Sequence, residues 1–191
     1  MRDSPAKTTP PFMQVSSTLL PGVLLIEPRV FGDSRGFFLE TYQEDRYRDA
    51  GIPLRFVQDN QSRSKRGVLR GLHLQRKHPQ GKLVRAASGR VWDVAVDVDS
   101  RSPTFRKWVG VELSDENHRQ LYVPPGYAHG FVVLSETADF AYKTTDYYHP
   151  EDEVGIRWND PDLAIAWPID APIVSDRDSK NPPLNEYLRK G

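Results

Sequence analysis

Histidine is the side chain here best suited to move protons near neutral pH, and the chain has five: His73, His78, His118, His129 and His149. Two stand beside glycine in strand-like runs. His73 lies in Arg70-Gly71-Leu72-His73-Leu74-Gln75, and His129 in Pro125-Gly126-Tyr127-Ala128-His129-Gly130-Phe131. The other three fall in polar, turn-like stretches and read as surface residues. A metal site of the barrel type would want His-x-His on one strand, a later carboxylate and a third histidine. The corresponding pair is His73-Leu74-Gln75, and glutamine is a poor transition-metal ligand. Two dispersed histidines also fall short of the usual three protein ligands, so the pattern weighs against a catalytic metal.

Metal-free acid–base chemistry remains. A neutral imidazole base needs an orienting partner, and Asp93, Asp97, Asp176 and Asp178 are candidates. Tyr142 could serve as an acid across the substrate, and Lys82 could stabilise an oxyanion. Taken singly, each has an ordinary structural reading, and spacing does not choose among them. Arginines cluster near the glycine-marked segments, at positions 35, 63, 66, 70 and 85. Arginine grips phosphate bidentately, although most of these suit a plain surface role. With 26 basic and 26 acidic residues the formal charge is zero. A small phosphorylated ligand therefore fits better than nucleic acid or an anionic membrane.

The elements that must position these groups read as short strands. Residues 91–98 alternate clearly, with Trp92, Val94, Val96 and Val98 on one face and Val91, Asp93, Ala95 and Asp97 on the other. Further runs are 23–26, 37–42, 56–59, 68–75, 82–87, 107–113, 127–134, 140–147 and 155–158, separated by glycine and proline breakers. Helix signals are few: residues 43–50 closed by Gly51, one capped turn at 114–117, and a short helix at 183–190. The chain of 191 residues suits one domain, with 1–14 a loose, proline-rich arm and 15–191 the folded unit. Short strands at this spacing predict an all-β sandwich or jelly-roll barrel with a few short peripheral helices. There is no cysteine and no apolar run near the ~20 residues of a membrane span. Residues 1–14 lack a secretory h-region. A reducing, cytoplasmic setting is the expectation.

Longer motifs carry a resemblance. Val30-Phe31-Gly32-Asp33-Ser34-Arg35-Gly36-Phe37-Phe38, Phe56-Val57-Gln58-Asp59-Asn60, Val68-Leu69-Arg70-Gly71-Leu72-His73, Gly81-Lys82-Leu83-Val84-Arg85, the His129 segment, Tyr142-Lys143-Thr144-Thr145 and Trp158-Asn159-Asp160 occur in order over roughly residues 23–178. The chain thereby resembles the dTDP-4-dehydrorhamnose 3,5-epimerases. The resemblance implies a cupin-like jelly roll acting as a homodimer on a nucleotide sugar, without metal or organic cofactor. His73 resembles the family's base, Asp178 its paired carboxylate, Tyr142 the acid on the opposite face, and Lys82 the group that stabilises the enolate. His129 resembles a further substrate-contacting histidine, oriented by Asp93. Arg35, Glu40, Gln58, Asn60, Arg70, Glu153 and Arg177 match nucleotide-sugar binding positions, and Tyr147 the aromatic that stacks on thymine.

Three alternatives stay open at this point: a single-centre C3 or C5 epimerase, a non-catalytic nucleotide-sugar binding module, and a metal-dependent cupin enzyme. One tension also stands. Strand alternation turns Arg70 away from the face of His73, which suggests that Arg70 serves a neighbouring subunit's site.

Overall fold

The computed structural model describes residues 12–53 and 55–189. Along these the chain forms β1 (Met13–Ser17), β2 (Leu24–Pro28), β3 (Val30–Asp33), β4 (Gly36–Leu39), α1 (Glu44–Asp49), β5 (Gln58–Lys65) and β6 (Leu69–Gln75). There follow β7 (Lys82–Ser88), β8 (Arg90–Val96), β9 (Trp108–Ser114), β10 (Gln120–Val123), β11 (Ala128–Val133), β12 (Thr137–Thr144), β13 (Glu153–Gly155), α2 (Asp176–Ser179) and α3 (Leu184–Arg189). A six-stranded antiparallel sheet runs β1-β2-β10-β7-β12-β5, and a five-stranded one runs β13-β6-β11-β8-β9. The two make the expected cupin-like jelly roll. β3 and β4 form a separate hairpin.

The apolar strands are buried on both faces. Between the sheets, Val84, Ala86, Leu121, Val123 and Phe140 meet Val91, Ala95, Leu113 and Phe131. Behind the five-stranded sheet, Leu72, Leu74, Val94 and Val96 pack under Ile156, Leu163 and Leu184 of the C-terminal segment. Behind the other sheet, Ile26, Leu83 and Tyr122 meet Tyr47 of α1 and Ile52. Both faces of β8 are therefore dry, and Asp93 on its inner face is fully buried.

Three strands were not legible in the sequence: β1, β3 and β10. β5 runs on to Lys65, six residues past the expected end at 59. Its Gln-Asp-Asn-Gln-Ser-Arg-Ser-Lys sequence has no apolar alternation because it is an edge strand with a polar inward row. The expected strand at 155–158 keeps only Gly155, and that at 37–42 stops at Leu39. The 114–117 turn is present, closed by reciprocal 3.0 Å hydrogen bonds between Ser114 and Asn117. The arm expected over 1–14 lies outside the described residues up to position 11. Its last two residues are strand instead, since Met13 pairs with Pro28 and Gln14 with Glu27. No helix among the described residues is long and apolar enough to cross a membrane.

Candidate active site

A cavity of about 600 Å³ opens between the two sheets. β6 brings His73 to it, and β6 carries a bulge on the way. His129 of β11 stands opposite His73, but Phe131 stands opposite Arg70, so two steps on β11 match three on β6. The extra residue sits at Gly71-Leu72, a cis peptide. Only glycine fits there: φ of Gly71 is 131°, and a Cβ would lie 2.6 Å from Gly130 Cα and 2.9 Å from the His129 carbonyl oxygen. The extra residue offsets the strand alternation, and Arg70 and His73 both line the cavity. Arg70 thus stands at its own chain's site, which corrects the expectation that it turns away to serve a neighbour.

Asp178 approaches from α2. Ser175 caps that helix, its Oγ accepting from the Asp178 N–H at 3.0 Å. One carboxylate oxygen of Asp178 lies 2.7 Å from His73 Nε2, and the other accepts from the Gly71 N–H at 3.3 Å. Burial raises the Asp178 carboxyl. The hydrogen bond and charge of His73, the Gly71 amide and Arg177 outweigh that effect, and the carboxyl ends below its ordinary value. A carboxylate only accepts, so the ring nitrogen facing Asp178 carries the hydrogen and the other is left as a base.

His129 and Asp93 form a second, deeper pair at 2.9 Å. Lys82 enters from β7. Burial pulls its ammonium down to about 8 against the opposing charges of Glu153 and Asp93. Tyr142, on β12 of the six-stranded sheet, faces the same cavity. Burial first, then Glu153, pushes its phenol up, while Arg70 pulls it down. Tyr142 therefore stays protonated at neutral pH. At the rim Arg177 is ion-paired with Glu153, which also accepts from the Tyr148 hydroxyl at 3.0 Å.

A family model described as dTDP-4-dehydrorhamnose 3,5-epimerase matches residues 17–186. The chain belongs to that family. It is 59% identical over 168 residues to a dTDP-4-dehydrorhamnose 3,5-epimerase of Pseudomonas aeruginosa, covering 87% of this chain and 93% of the relative. It is 54% identical over 179 residues to the enzyme of that name from Salmonella typhimurium, covering 92% and 98%. Its fold matches the crystal structure of a dTDP-6-deoxy-D-glucose-3,5-epimerase from Legionella pneumophila in complex with dTDP-4-keto-L-rhamnose. That match has a TM-score of 0.89 at 54% identity and covers 91% of this chain and 93% of the other.

Of the residues carried over from the epimerase family, the cavity gathers His73, Asp178, Tyr142, Lys82, His129, Asn60, Arg70, Glu153 and Arg177. Gln58 stands one step back. Its Nε2 donates to Asn60 Oδ1 at 2.9 Å and its Oε1 accepts from the Tyr148 N–H at 3.0 Å. Three residues are not brought together with these. Arg35 lies on the β3–β4 hairpin with its side chain 87% exposed, paired with Asp33. Glu40 is paired with Arg46. Tyr147 is 60% exposed and lies off the cavity wall, and its neighbour Tyr148 lines the cavity instead. Residues 145–152 are a loop, where no periodicity tells which of two adjacent tyrosines turns inward.

Gln75 does not face the site as the second histidine of a metal-binding pair would. It donates to the carbonyls of His78 and Tyr147 and accepts from the His149 N–H, so it ties two rim loops together. Among the described residues, no group of three or more His, Cys, Asp or Glu is placed to hold a metal ion.

Proposed function

We propose that the protein inverts C3 and C5 of dTDP-4-dehydro-6-deoxy-D-glucose, giving dTDP-4-dehydro-L-rhamnose, by metal-free acid–base catalysis. The observation that carries this reading is the origin of His73 and Tyr142. The first stands on the five-stranded sheet and the second on the six-stranded sheet, and both line one cavity. A flat sugar ring held between them would present one face to each.

The chemistry follows from the keto group. C3 and C5 both flank the C4 carbonyl, so a proton on either is acidic once the enolate oxygen is stabilised. The free nitrogen of His73 takes the proton, and Asp178 stabilises the imidazolium. Lys82 supplies the positive charge for the C4 oxygen, and one cation serves both steps. Tyr142 returns a proton from the opposite side, which inverts the centre. The cavity volume is in the range of a small-molecule site.

A homodimer belongs to the same proposal. The β3–β4 hairpin exposes Phe37 and Phe38 by 60% and 68%, and Arg35 stands between its strands away from its own cavity. A second copy that buries the hairpin would bring Arg35 and the nearby Glu40 to a partner's site. Phe38→Asp should then yield monomers on sedimentation. A cytoplasmic location is part of this reading too and rests on the lack of cysteine.

The test is incubation with dTDP-4-keto-6-deoxyglucose in D₂O, followed by NMR. Deuterium at both C3 and C5 is expected. Label at one carbon only would replace the reading with a single-centre epimerase, and no label would leave only a binding module.

A further inference from the structure

Two arginines near the cavity are held in the same way by different partners. Arg63 of β5 donates Nε to Asp139 Oδ1 at 2.7 Å and Nη2 to Oδ2 at 2.6 Å. This is a bidentate carboxylate pair on the solvent side, and it cancels the guanidinium charge. Arg70 of β6 also donates Nε and Nη2, at 3.1 and 3.0 Å, but both go to the hydroxyl of Ser64. Ser64 is 8% exposed and sits one residue along the edge strand from Arg63. A hydroxyl accepts without carrying charge. Arg70 is therefore aimed and keeps its full charge, and it makes no ion pair among the described residues. The other guanidinium at the cavity, Arg177, is paired with Glu153.

We infer that Ser64 is a positioning residue for anion binding: it fixes Arg70 toward the diphosphate of the ligand without neutralising it. The inference rests on the nucleotide-sugar reading above and adds to it a residue that sets affinity from outside the cavity wall. A neutral anchor is the physical requirement. A carboxylate at position 64 would hold the guanidinium equally well and cancel the charge that the ligand needs.

The experiment is calorimetric titration of the full-length protein with dTDP at several salt concentrations, beside steady-state kinetics. Ser64→Ala should weaken dTDP about 3- to 10-fold, as expected for losing the net worth of an ordinary hydrogen bond that only orients Arg70, with the loss in KM rather than in kcat. Ser64→Asp should weaken it by about tenfold or more and flatten the salt dependence, since one cation no longer contributes. Ser64→Thr keeps the hydroxyl and should restore binding. In an Arg70→Ala background, Ser64→Ala should have no further effect on dTDP affinity, because the two act as one unit. Arg63→Ala should leave affinity unchanged.

Wild-type affinity in both Ser64→Ala and Ser64→Asp would overturn the inference. A Ser64→Ala loss that persists without Arg70 would also overturn it, by showing a merely structural role. Wild-type protein that binds no dTDP would instead overturn the functional reading, and this inference with it.

Discussion

His73 and Asp178 are 105 residues apart in the chain and 2.7 Å apart in the fold. The carboxylate that joins them is held twice more, by the Gly71 N–H on one oxygen and through the Ser175 cap on its own backbone. The His73 imidazole is thus oriented by a group that is itself fixed, which would limit what proton transfer loses to misalignment if it acts as the proposed base.

Asp178→Asn keeps the shape and removes the charge. Turnover should fall about 100-fold, within the usual contribution of a positioned acid–base group. Stability carries a second signature. The folded carboxyl lies below its ordinary value of 3.8, so the unfolded chain binds the proton more tightly. The stabilising contribution is complete above 3.8 and is lost as pH falls through the lower folded value. Thermal unfolding across the acid range should show the gap between wild type and Asp178→Asn closing as the medium acidifies. A gap independent of pH would exclude the ion pair as its source.

Tyr142→Phe removes only the phenolic hydroxyl. Exchange of substrate protons for deuterium should persist within about tenfold, while formation of inverted product drops by about 100-fold or more. Equal loss of exchange and inversion would deny Tyr142 the role of acid.

Lys82 titrates near 8 because of burial. Activity should decline as pH rises through about 8, as the ammonium loses its proton. Lys82→Arg keeps a charge at any pH and should remove that alkaline limb. Lys82→Met should lower turnover by about 100- to 1,000-fold, as for loss of a group that stabilises an oxyanion. The same substitution should stabilise the fold by about 1–2 kcal/mol at neutral pH, since it removes an ammonium that burial holds below its ordinary value. The sign follows from the lowered value: between 8 and 10.5 the unfolded chain binds more protons, so stability rises with pH there in the wild type and not in the methionine variant. A pH–rate profile and unfolding at two pH values check both parts.

Gly71→Ala places a Cβ 2.6 Å from Gly130 Cα at a φ of 131°. Backbone cannot yield as a side chain can, so a loss of about 3 kcal/mol or more is expected, together with loss of activity. Gly126→Ala is the comparison: its φ is 94° but nothing lies within 4 Å. It should cost about 1 kcal/mol from the backbone alone. Denaturant unfolding of the two variants separates steric crowding from strain in φ.

Residue types and ordered motifs determined much on their own. The alternation of 91–98 marks β8, the breakers mark a strand-rich sandwich, and the histidine, lysine and tyrosine segments supply the proposed acid–base set through the family resemblance they carry. These are legible because period-2 patterning and side-chain chemistry are local. What the fold decided is not local. The inward turn of Arg70 depends on a bulge that exists because Gly71 meets Gly130 across the ladder, and no rule applied to one strand shows a register set by its neighbour. That Tyr148 and not Tyr147 lines the cavity is decided in a loop without period. Arg35 and Glu40 match binding positions in sequence, yet the hairpin carries them away from their own cavity. Residue chemistry travels with the chain, but which groups meet depends on how distant strands pair and close over one another.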